Sequence, residues 1–516
     1  MHNMSPIDLD NEGGQTTWKQ FKGVMIQGTS SDAGKSFIVT GLCRVLSDMG
    51  YKVAPFKSQN MSNNSYVTFN GGEIGRAQGV QAEAARALPT VFMNPILLKP
   101  MMDCRSEVVL LGEVFRPMEG WEYHKGFTME KGLDVIRKAL KELSNDYETL
   151  VIEGAGSPAE VNLNDREIVN MRIAELTHLP VILVADIDRG GSFASLVGTI
   201  ELVGEYKRFI KGVIFNKFRG DIALLQDGLD WFEDYTGIPV IGVMPYLDDI
   251  SVEAEDAQSP SRLNRSKAGE LLDIAVIGLS RVSNNTDVEP FFHEEDARIR
   301  IVRHAREFGS PHAVIIPGTK STIDDLREMR VNGLDKAISE YVEKGGIVFG
   351  ICGGYQILGE SISDELGVDR AAGGDVQGLG ILPVTTNFEA DKRVCRVAGS
   401  IVCGQFQGIA VTGYEIHLGR TTRTGSAEDF LEVQGHSDGA VRNEGQVIGC
   451  YMHNIFHNDR FRNRWLNMIR GKAGLPLRDE VSTYDIKERS FDRLAEACIK
   501  NLDIKAVLEM INMPID

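Results

Sequence analysis

The sequence predicts an α/β protein with a doubly wound, mostly parallel first domain and a second α/β domain after it. Through the first half of the chain, short apolar runs alternate with apolar residues at helical spacing, a pattern typical of parallel strands joined by crossover helices. The 516 residues exceed what one hydrophobic core usually organises. A polar stretch over residues 253–270 separates two apolar halves, which predicts a domain boundary there.

We expect five segments along the chain. They are a polar N-terminal segment (1–21), an ATP-binding domain (22–252), a linker (253–271), a second α/β domain (272–480) and a C-terminal helical tail (481–516). The tail places Phe491, Leu494 and Cys498 on one helical stripe, and we expect this stripe to pack on the second domain.

Composition excludes several classes of partner. The formal net charge of -18 opposes binding to nucleic acid or to an anionic membrane. No apolar run approaches the length of a membrane span, and the polar start has the features of neither a signal peptide nor a transit peptide, so we predict a cytoplasmic protein. The seven cysteines form no C-x-x-C pair, so we expect no structural metal and no bound redox cofactor.

A glycine loop between a strand and a helix dominates the first half of the sequence. Residues 24–41 follow this order. In such a loop backbone N–H groups cradle phosphates, while Lys35 adds a positive charge and the Ser36 hydroxyl binds Mg²⁺. We therefore predict Mg-ATP as co-substrate. The candidate ATP contacts in the loop are Gly28, Thr29, Asp32, Gly34, Lys35 and Ser36.

Polar residues follow the other predicted strands of this domain. Ligands of parallel sheets bind beyond the carboxyl ends of the strands, so we select Lys57, Gln59 and Asn60, in the loop after residues 51–56, as substrate contacts. The alternative is an ordinary solvated loop. Two acids at strand ends, Glu153 and Asp186, are candidate metal ligands, although an acid at such a place also caps helices.

The second half contains a strand that turns sharply into a helix at a cysteine. Residues 350–354 read Gly-Ile-Cys-Gly-Gly, and the flanking glycines allow the strained turn that exposes a nucleophile at a helix N-terminus. The N–H of Gly353 is then placed to form an oxyanion hole for a reaction at Cys352. His453, at the end of another predicted strand, is the candidate base. The alternative, a buried structural thiol, does not account for the flanking glycines.

The phosphate loop resembles that of dethiobiotin synthetase and its relatives, which activate carboxylates with ATP. Five residues separate Gly28 from the Gly-Lys-Ser group, and Ser30 stands where partitioning ATPases have an extra lysine. The resemblance implies that Glu153 meets the Mg²⁺ and that Asn216 contacts the nucleotide.

The cysteine region resembles the class I glutamine amidotransferases, which release ammonia from glutamine. The resemblance implies that Cys352 is the nucleophile, His453 the general base, and the Gly318 N–H a second oxyanion donor. Many members have a glutamate two residues after the histidine, where this chain has Ile455. Cys352 and His453 then work as a dyad, or His453 uses another hydrogen-bond acceptor in place of the glutamate.

Residues 56–78 and 94–99 together resemble the cobyric acid synthase family, the glutamine-dependent amidases of the corrin ring. The resemblance implies amidation of the b, d, e and g carboxylates of adenosylcobyrinic acid a,c-diamide in cobalamin biosynthesis. The alternatives are cobyrinic acid a,c-diamide synthase, and a nucleotide-switched scaffold with a vestigial amidotransferase domain. The partners expected are small molecules only, and self-association into a homo-oligomer is left open.

Overall fold

The structure is a computed structural model that describes residues 22–101, 105–247, 250, 272–369 and 373–513. The expected N-terminal segment (1–21) and linker (253–271) lie outside the described residues. Within those residues, no helix combines the length and apolar character needed to cross a membrane.

The first half is built on a parallel sheet. Its strands are β1 (Lys22–Gly28), β2 (Val53–Phe56), β3 (Gln59–Met61), β4 (Ser65–Val67), β5 (Glu73–Gly75), β6 (Ile96–Pro100), β7 (Arg105–Leu110), β8 (Glu113–Glu119), β9 (Thr149–Glu153), β10 (Val181–Asp186), β11 (Ile210–Phe218) and β12 (Val240–Pro245). In the described residues, six of them form one sheet in the order β12-β11-β10-β1-β9-β2, and every pair in it is parallel. Strand β1 lies inside this sheet, buried on both faces, as its continuous apolar run predicts. The doubly wound parallel domain is confirmed.

A smaller sheet is inserted between β2 and β9. It has the order β3-β6-β7-β8 and is antiparallel from β6 to β8, while β4 and β5 form a separate hairpin. The sequence did not predict this inserted region, because β3, β4 and β5 are only three residues long, too short to show a periodic pattern. It extends the ligand edge of the parallel sheet toward the second half of the chain.

The second half has a larger mixed sheet. Its strands are β13 (Leu272–Ile277), β14 (Ala297–Val302), β15 (Ala313–Ile316), β16 (Ile347–Ile351), β17 (Ser361–Asp364), β18 (Gly374–Gln377), β19 (Val384–Ile401), β20 (Ala410–Arg423), β21 (Glu428–Val433), β22 (His436–Arg442) and β23 (Val447–Cys450). The part β14-β13-β15-β16-β23 is parallel, and β22 and β21 continue it in antiparallel pairing. Strands β19 and β20 form a long antiparallel hairpin.

Helices cover the faces of both sheets. They are α1 (Lys35–Asp48), α2 (Arg76–Ala84), α3 (Leu133–Asp146), α4 (Met171–Thr177), α5 (Ser192–Leu202), α6 (Gln226–Thr236), α7 (Thr322–Val331), α8 (Leu334–Glu343), α9 (Gly353–Leu358), α10 (Asp459–Lys472), α11 (Thr483–Asn501) and α12 (Ile504–Met510). Helical turns at Gly120–Glu122 and a π-helical segment at Tyr123–Gly132 lead into α3.

The packing expected for the C-terminal tail is wrong. Helix α11 packs on α1 of the first half, where Phe491, Leu494 and Cys498 join the core beneath the phosphate loop. Arg44 of α1 also binds Asp492 at 2.6 Å. An apolar stripe predicts that one face of a helix is buried, but it does not predict which element buries that face. Here the outer face of α1 provides the apolar surface. The chain thus returns to its first domain after completing the second.

Candidate active sites

The phosphate loop connects β1 to α1 in a conformation that requires glycine. Gly34 has φ 102°, and a Cβ there would lie 2.0 Å from the Asn216 Nδ2. That amide donates to the Ala33 carbonyl at 2.9 Å, and the Thr29 N–H donates to the Val184 carbonyl at 3.0 Å. Neighbouring strands therefore fix the loop, and the structure places Asn216 against its backbone.

Lys35 contacts the loop itself. Its Nζ donates to the carbonyl oxygens of Ser30 at 3.0 Å and Gly156 at 3.2 Å. A lysine ammonium held over a glycine loop is positioned to meet phosphate oxygens, which are stronger acceptors than carbonyls. A bound polyphosphate would take over these hydrogen bonds.

Glu153 lies at the centre of a buried polar cluster at the end of β9. Its Oε1 accepts from Ser36 Oγ at 2.8 Å and from Lys57 Nζ at 3.0 Å, and its Oε2 accepts from Gln81 Nε2 at 2.5 Å. Burial raises the pKa of Glu153, but Lys57 and the three hydrogen bonds hold it below its ordinary value, so the carboxylate is ionised. Gln81 was not predicted, since a glutamine in an alanine-rich helix has no distinguishing pattern.

Asp186, the other predicted metal ligand, belongs to a different cluster. Its Oδ2 binds Lys217 Nζ at 2.7 Å, and its Oδ1 accepts from the N–H of Asp188 at 2.9 Å. Lys217 also donates to the carbonyl of Asp32 at 2.6 Å. In this geometry Asp186 anchors a lysine against the phosphate loop, whereas the predicted metal residues Ser36 and Glu153 lie together.

The predicted substrate loop is largely buried and turned inward. Lys57 and Asn60 are 3% and 1% exposed. Lys57 is paired with Glu153, and the Nδ2 of Asn60 donates to Gln78 at 2.8 Å. The Oε1 of Gln59 accepts from the Tyr123 hydroxyl at 2.6 Å. The solvated-loop alternative is therefore wrong for these side chains, while their contact with substrate stays a prediction.

The turn after β16 has the geometry of a nucleophile elbow. Cys352 has φ 52° and ψ -109° and precedes α9 directly. A Cβ at Gly354 would lie 2.0 Å from the Ile316 carbonyl oxygen, so the residue two positions after the cysteine has to be glycine. The strain places the thiol at the start of a helix, with the Gly353 N–H beside it.

His453 is held between the thiol and a buried acid. Its Nδ1 lies 2.7 Å from Asp287 Oδ2, and its ring stacks on Tyr414. Burial lowers the pKa of His453, but Asp287 and, to a smaller extent, Cys352 raise it to about 10. The missing glutamate at position 455 is thus replaced by an acceptor from another part of the chain.

Asp287 is the functional residue that sequence reasoning missed. It lies in the 3₁₀ segment Asn285–His293, after β13, and is separated from His453 by 166 positions. No local spacing links the two residues, so only the fold brings them together. Its Oδ1 also accepts from the Asn454 N–H at 2.7 Å, which fixes the carboxylate in place.

The predicted oxyanion donors lie on two neighbouring strand ends. A Cβ at Gly318 would be 2.9 Å from His453 Cε1, and one at Gly353 would be 3.1 Å from the Thr319 N–H nitrogen. The loops that follow β15 and β16 therefore face the same space beside the imidazole.

The two halves meet beside these sites through a buried network of charges. Lys392 Nζ binds Glu73 at 3.1 Å and Glu107 at 2.7 Å, and Lys320 binds Glu107 at 3.1 Å. Lys99 pairs with Glu73 from within the first half. Lys320 follows the oxyanion loop by two residues, so this network ties the glutaminase site to the inserted sheet.

Together, a phosphate loop with an acid at the next strand end and a Cys-His-Asp site on a nucleophile elbow define a glutamine-dependent amidoligase. Residues 24–260 match the family described as the CobQ/CobB/MinD/ParA nucleotide binding domain. Residues 273–461 match the CobB/CobQ-like glutamine amidotransferase domain.

Curated relatives extend the match to nearly the whole chain. Cobyric acid synthase of Geobacillus thermodenitrificans is 48% identical over 491 residues, which cover 95% of this chain and 98% of that protein. Cobyric acid synthase of Streptococcus sanguinis is 46% identical over 502 residues, covering 95% and 99%. That of Desulforamulus reducens is 44% identical over 505 residues, covering 95% and 98%. The chain belongs to the cobyric acid synthase family.

Proposed function

We propose that this protein amidates the b, d, e and g side-chain carboxylates of adenosylcobyrinic acid a,c-diamide in cobalamin biosynthesis, using ATP and glutamine. Membership of the family makes the chain an ATP-dependent amide ligase that acts on small molecules. The observation that carries the choice of substrate is the identity to cobyric acid synthases over 95% of the chain. The cytoplasmic location and the absence of nucleic-acid and membrane partners stay predictions.

In the glutaminase half, Cys352 attacks the side-chain amide of glutamine after His453 takes the thiol proton. The Asp287 carboxylate supports this step, because it holds the Nδ1 proton and stabilises the imidazolium that forms. His453 then gives the thiol proton to the leaving nitrogen, so neutral ammonia departs and the glutamyl group stays on Cys352 as a thioester, which water hydrolyses to glutamate. The Gly318 and Gly353 N–H groups face the developing oxyanion.

In the ATP half, a carboxylate of the corrin attacks the γ-phosphate and becomes an acyl phosphate while ADP leaves, since a free carboxylate does not react with ammonia. Lys35 and the loop N–H groups hold the phosphates. Ser36 Oγ and Glu153 Oε1, 2.8 Å apart, are hard oxygen donors that fit Mg²⁺. When bound, the cation neutralises charge on the transferred phosphoryl group. Ammonia then displaces phosphate to give the amide.

The test is the mass of the corrin product formed from adenosylcobyrinic acid a,c-diamide with Mg-ATP and either glutamine or ammonium. We expect the fully amidated product from both nitrogen sources, and Cys352→Ala is expected to use ammonium only. Amidation of cobyrinic acid itself, with none of the diamide, would assign the protein to the a,c-diamide synthases. ATP binding without any amidation would support the scaffold alternative.

A further inference from the structure

One short segment of the second half, Ser283–Asp287, contacts both the base and the second oxyanion loop of the glutaminase site. The N–H of Ser283 donates to the Gly318 carbonyl at 3.0 Å, which fixes the loop of the second oxyanion donor. Asp287 holds the Nδ1 side of His453. Asn284 faces the opposite side of the same ring, with its Nδ2 at 3.5 Å from Nε2. A movement of this segment would therefore alter the base and the oxyanion loop together.

The same segment docks on the ATP half. The Ser65 N–H donates to the Asn284 Oδ1 at 3.0 Å, and the Asn285 N–H donates to the Asn64 Oδ1 at 3.2 Å. Both Ser65 and Asn284 are buried, at 0% and 2% exposure. Ser65 lies five residues after Asn60, in the continuation of the predicted substrate loop. Asn284 is thus a single side chain that bridges the substrate side of one half and the base of the other.

The Ser65 contact fixes which way the Asn284 amide points. A backbone N–H only donates, so the atom that meets it is the amide oxygen, and the NH₂ group is left facing His453 Nε2. The carboxylate on Nδ1 favours the imidazolium, whereas the amide NH₂ acts against it from Nε2, because two donors would then face each other. The NH₂ group thus occupies the nitrogen that has to take the thiol proton, and the Cys352 thiol donates instead to the Ile416 carbonyl at 3.6 Å. At 3.5 Å the contact is long, so a small shift of Ser65 changes it strongly.

We propose that Asn284 is a positioning residue that restrains glutamine hydrolysis until the substrate loop of the ATP half moves. Docking of the segment on Ser65 keeps the amide NH₂ against His453 Nε2. Occupation of the ATP half shifts residues 59–65, turns the amide away and frees Nε2 for the thiol proton. This inference rests on the proposed function, because it needs a substrate in the ATP half.

Two substitutions separate the parts of the contact. Asn284→Gly removes the side chain and keeps the backbone conformation, since φ is 52° and glycine adopts it without strain. Asn284→Asp keeps an acceptor for the Ser65 N–H but replaces the NH₂ with an oxygen, which favours the imidazolium. Tyr66→Phe is the control for the rest of the interface, because it removes the 3.2 Å bond from Arg396 and the 3.1 Å bond to Glu83 but no bond of the segment Ser283–Asp287.

The measurement is glutamate released and amide formed, with and without Mg-ATP and the corrin substrate. In both Asn284 variants we expect hydrolysis without the other substrates to rise roughly 3- to 10-fold, the range for losing one hydrogen bond. In both variants, ATP and corrin should no longer stimulate glutamine hydrolysis, and the ratio of glutamate released to amide formed should rise. Ammonium-driven amidation should stay as in the wild type. In Tyr66→Phe, the ratio of glutamate to amide should stay as in the wild type.

Four results would overturn the inference. An unchanged ratio of glutamate to amide would show that Asn284 does not restrain the base. Reduced hydrolysis in Asn284→Asp, with ammonium-driven amidation kept, would show that the residue only supports His453. A raised ratio of glutamate to amide in Tyr66→Phe would assign the effect to the whole interface. A raised ratio in Asn284→Gly but not in Asn284→Asp would show that the NH₂ group does not have the role given to it. If the wild type forms no amide from ammonium, the proposed function fails instead.

Discussion

The two active sites of this chain differ in how far the protein alone completes them. In the glutaminase half, His453 is already hydrogen-bonded to Asp287, and both are buried together with Cys352. In the ATP half, Lys35 bonds to one carbonyl of its own loop and one after β9, and Lys57 and Ser36 share one carboxylate oxygen of Glu153. The first site is preorganised by protein contacts, whereas the second takes its final arrangement only with phosphates and a cation. It follows that ammonia production has to be restrained while the ATP site is unloaded.

The largest effect expected is on the preorganised site. Asp287→Asn should lower glutamine-dependent amidation by about 10⁴-fold, as expected when the acid that orients a catalytic histidine is neutralised. The ammonium-driven reaction of the same variant is its control, because it needs neither His453 nor Asp287. A loss of both activities would show that Asp287 holds the fold instead of the histidine.

The pH profile of this variant sharpens the same prediction. The folded pKa of His453, about 10, lies above the ordinary value of 6.5, so its contribution to stability is complete below pH 6.5 and is lost as the pH rises to 10. Asp287→Asn should remove this dependence and shift the alkaline limb of glutamine hydrolysis to lower pH. An unshifted limb would mean that another group controls it.

In the ligand-dependent site, Glu153→Gln should lower amidation from both nitrogen sources by roughly 10²- to 10³-fold, the loss typical for one preorganised electrostatic contact. Glutamine hydrolysis without ATP should be retained. Glu148→Gln, on the exposed approach to the same strand, is the matched control and should keep full activity. Retention of ammonium-driven amidation by Glu153→Gln would remove Glu153 from the proposed cation site.

The two sites also differ in how much of them could be predicted from the sequence. The phosphate loop and the elbow are each local, since Lys35 lies within a few residues of the glycines of its loop and Cys352 lies beside those of the elbow. Backbone strain and close contacts require glycine at Gly34 and Gly354. The partners of these residues are set by the fold: Asp287 comes from a distant 3₁₀ segment and Gln81 from an unremarkable helix. The parallel strands were predictable from apolar runs, whereas the inserted region, where β3, β4 and β5 are only three residues long, was not.

The interface between the halves should be the next most sensitive feature. Lys392→Met removes the buried cation that Glu73 and Glu107 share, and should cost about 3–5 kcal/mol in the free energy of unfolding, although Lys99 and Lys320 still pair with one acid each. The matched control is Lys344→Met, whose exposed pair with Glu340 at 3.8 Å should contribute at most about 1 kcal/mol. Equal losses in the two variants, measured by denaturant unfolding, would contradict a structural role for the network.

Low pH should destabilise the fold through the same network of buried charges. Burial raises the pKa of Glu107, but Lys320 and Lys392 lower it to about 2. Its folded pKa is below the ordinary value of 4.5, so the stability it contributes is present above pH 4.5 and is lost as the pH falls toward 2. Lys392→Met should therefore move the acid unfolding midpoint to higher pH.

The smallest effect concerns the tail that the sequence assigned to the wrong half. Leu494→Ala should cost about 3 kcal/mol, because this buried side chain packs against α1, where a Cβ at Gly41 would lie 3.2 Å from its Cγ. Amide hydrogen exchange should quicken in α1 and leave the elbow helix α9 unchanged. The matched variant Leu466→Ala, in the core of the second half, should show the reverse pattern. Faster exchange in α9 after Leu494→Ala would instead support the packing of the tail on the second half that the sequence predicted. Confirmation would mean that the helix behind the phosphate loop depends on the last helices of the chain, so the ATP half cannot fold to full stability before the glutaminase half has been synthesised.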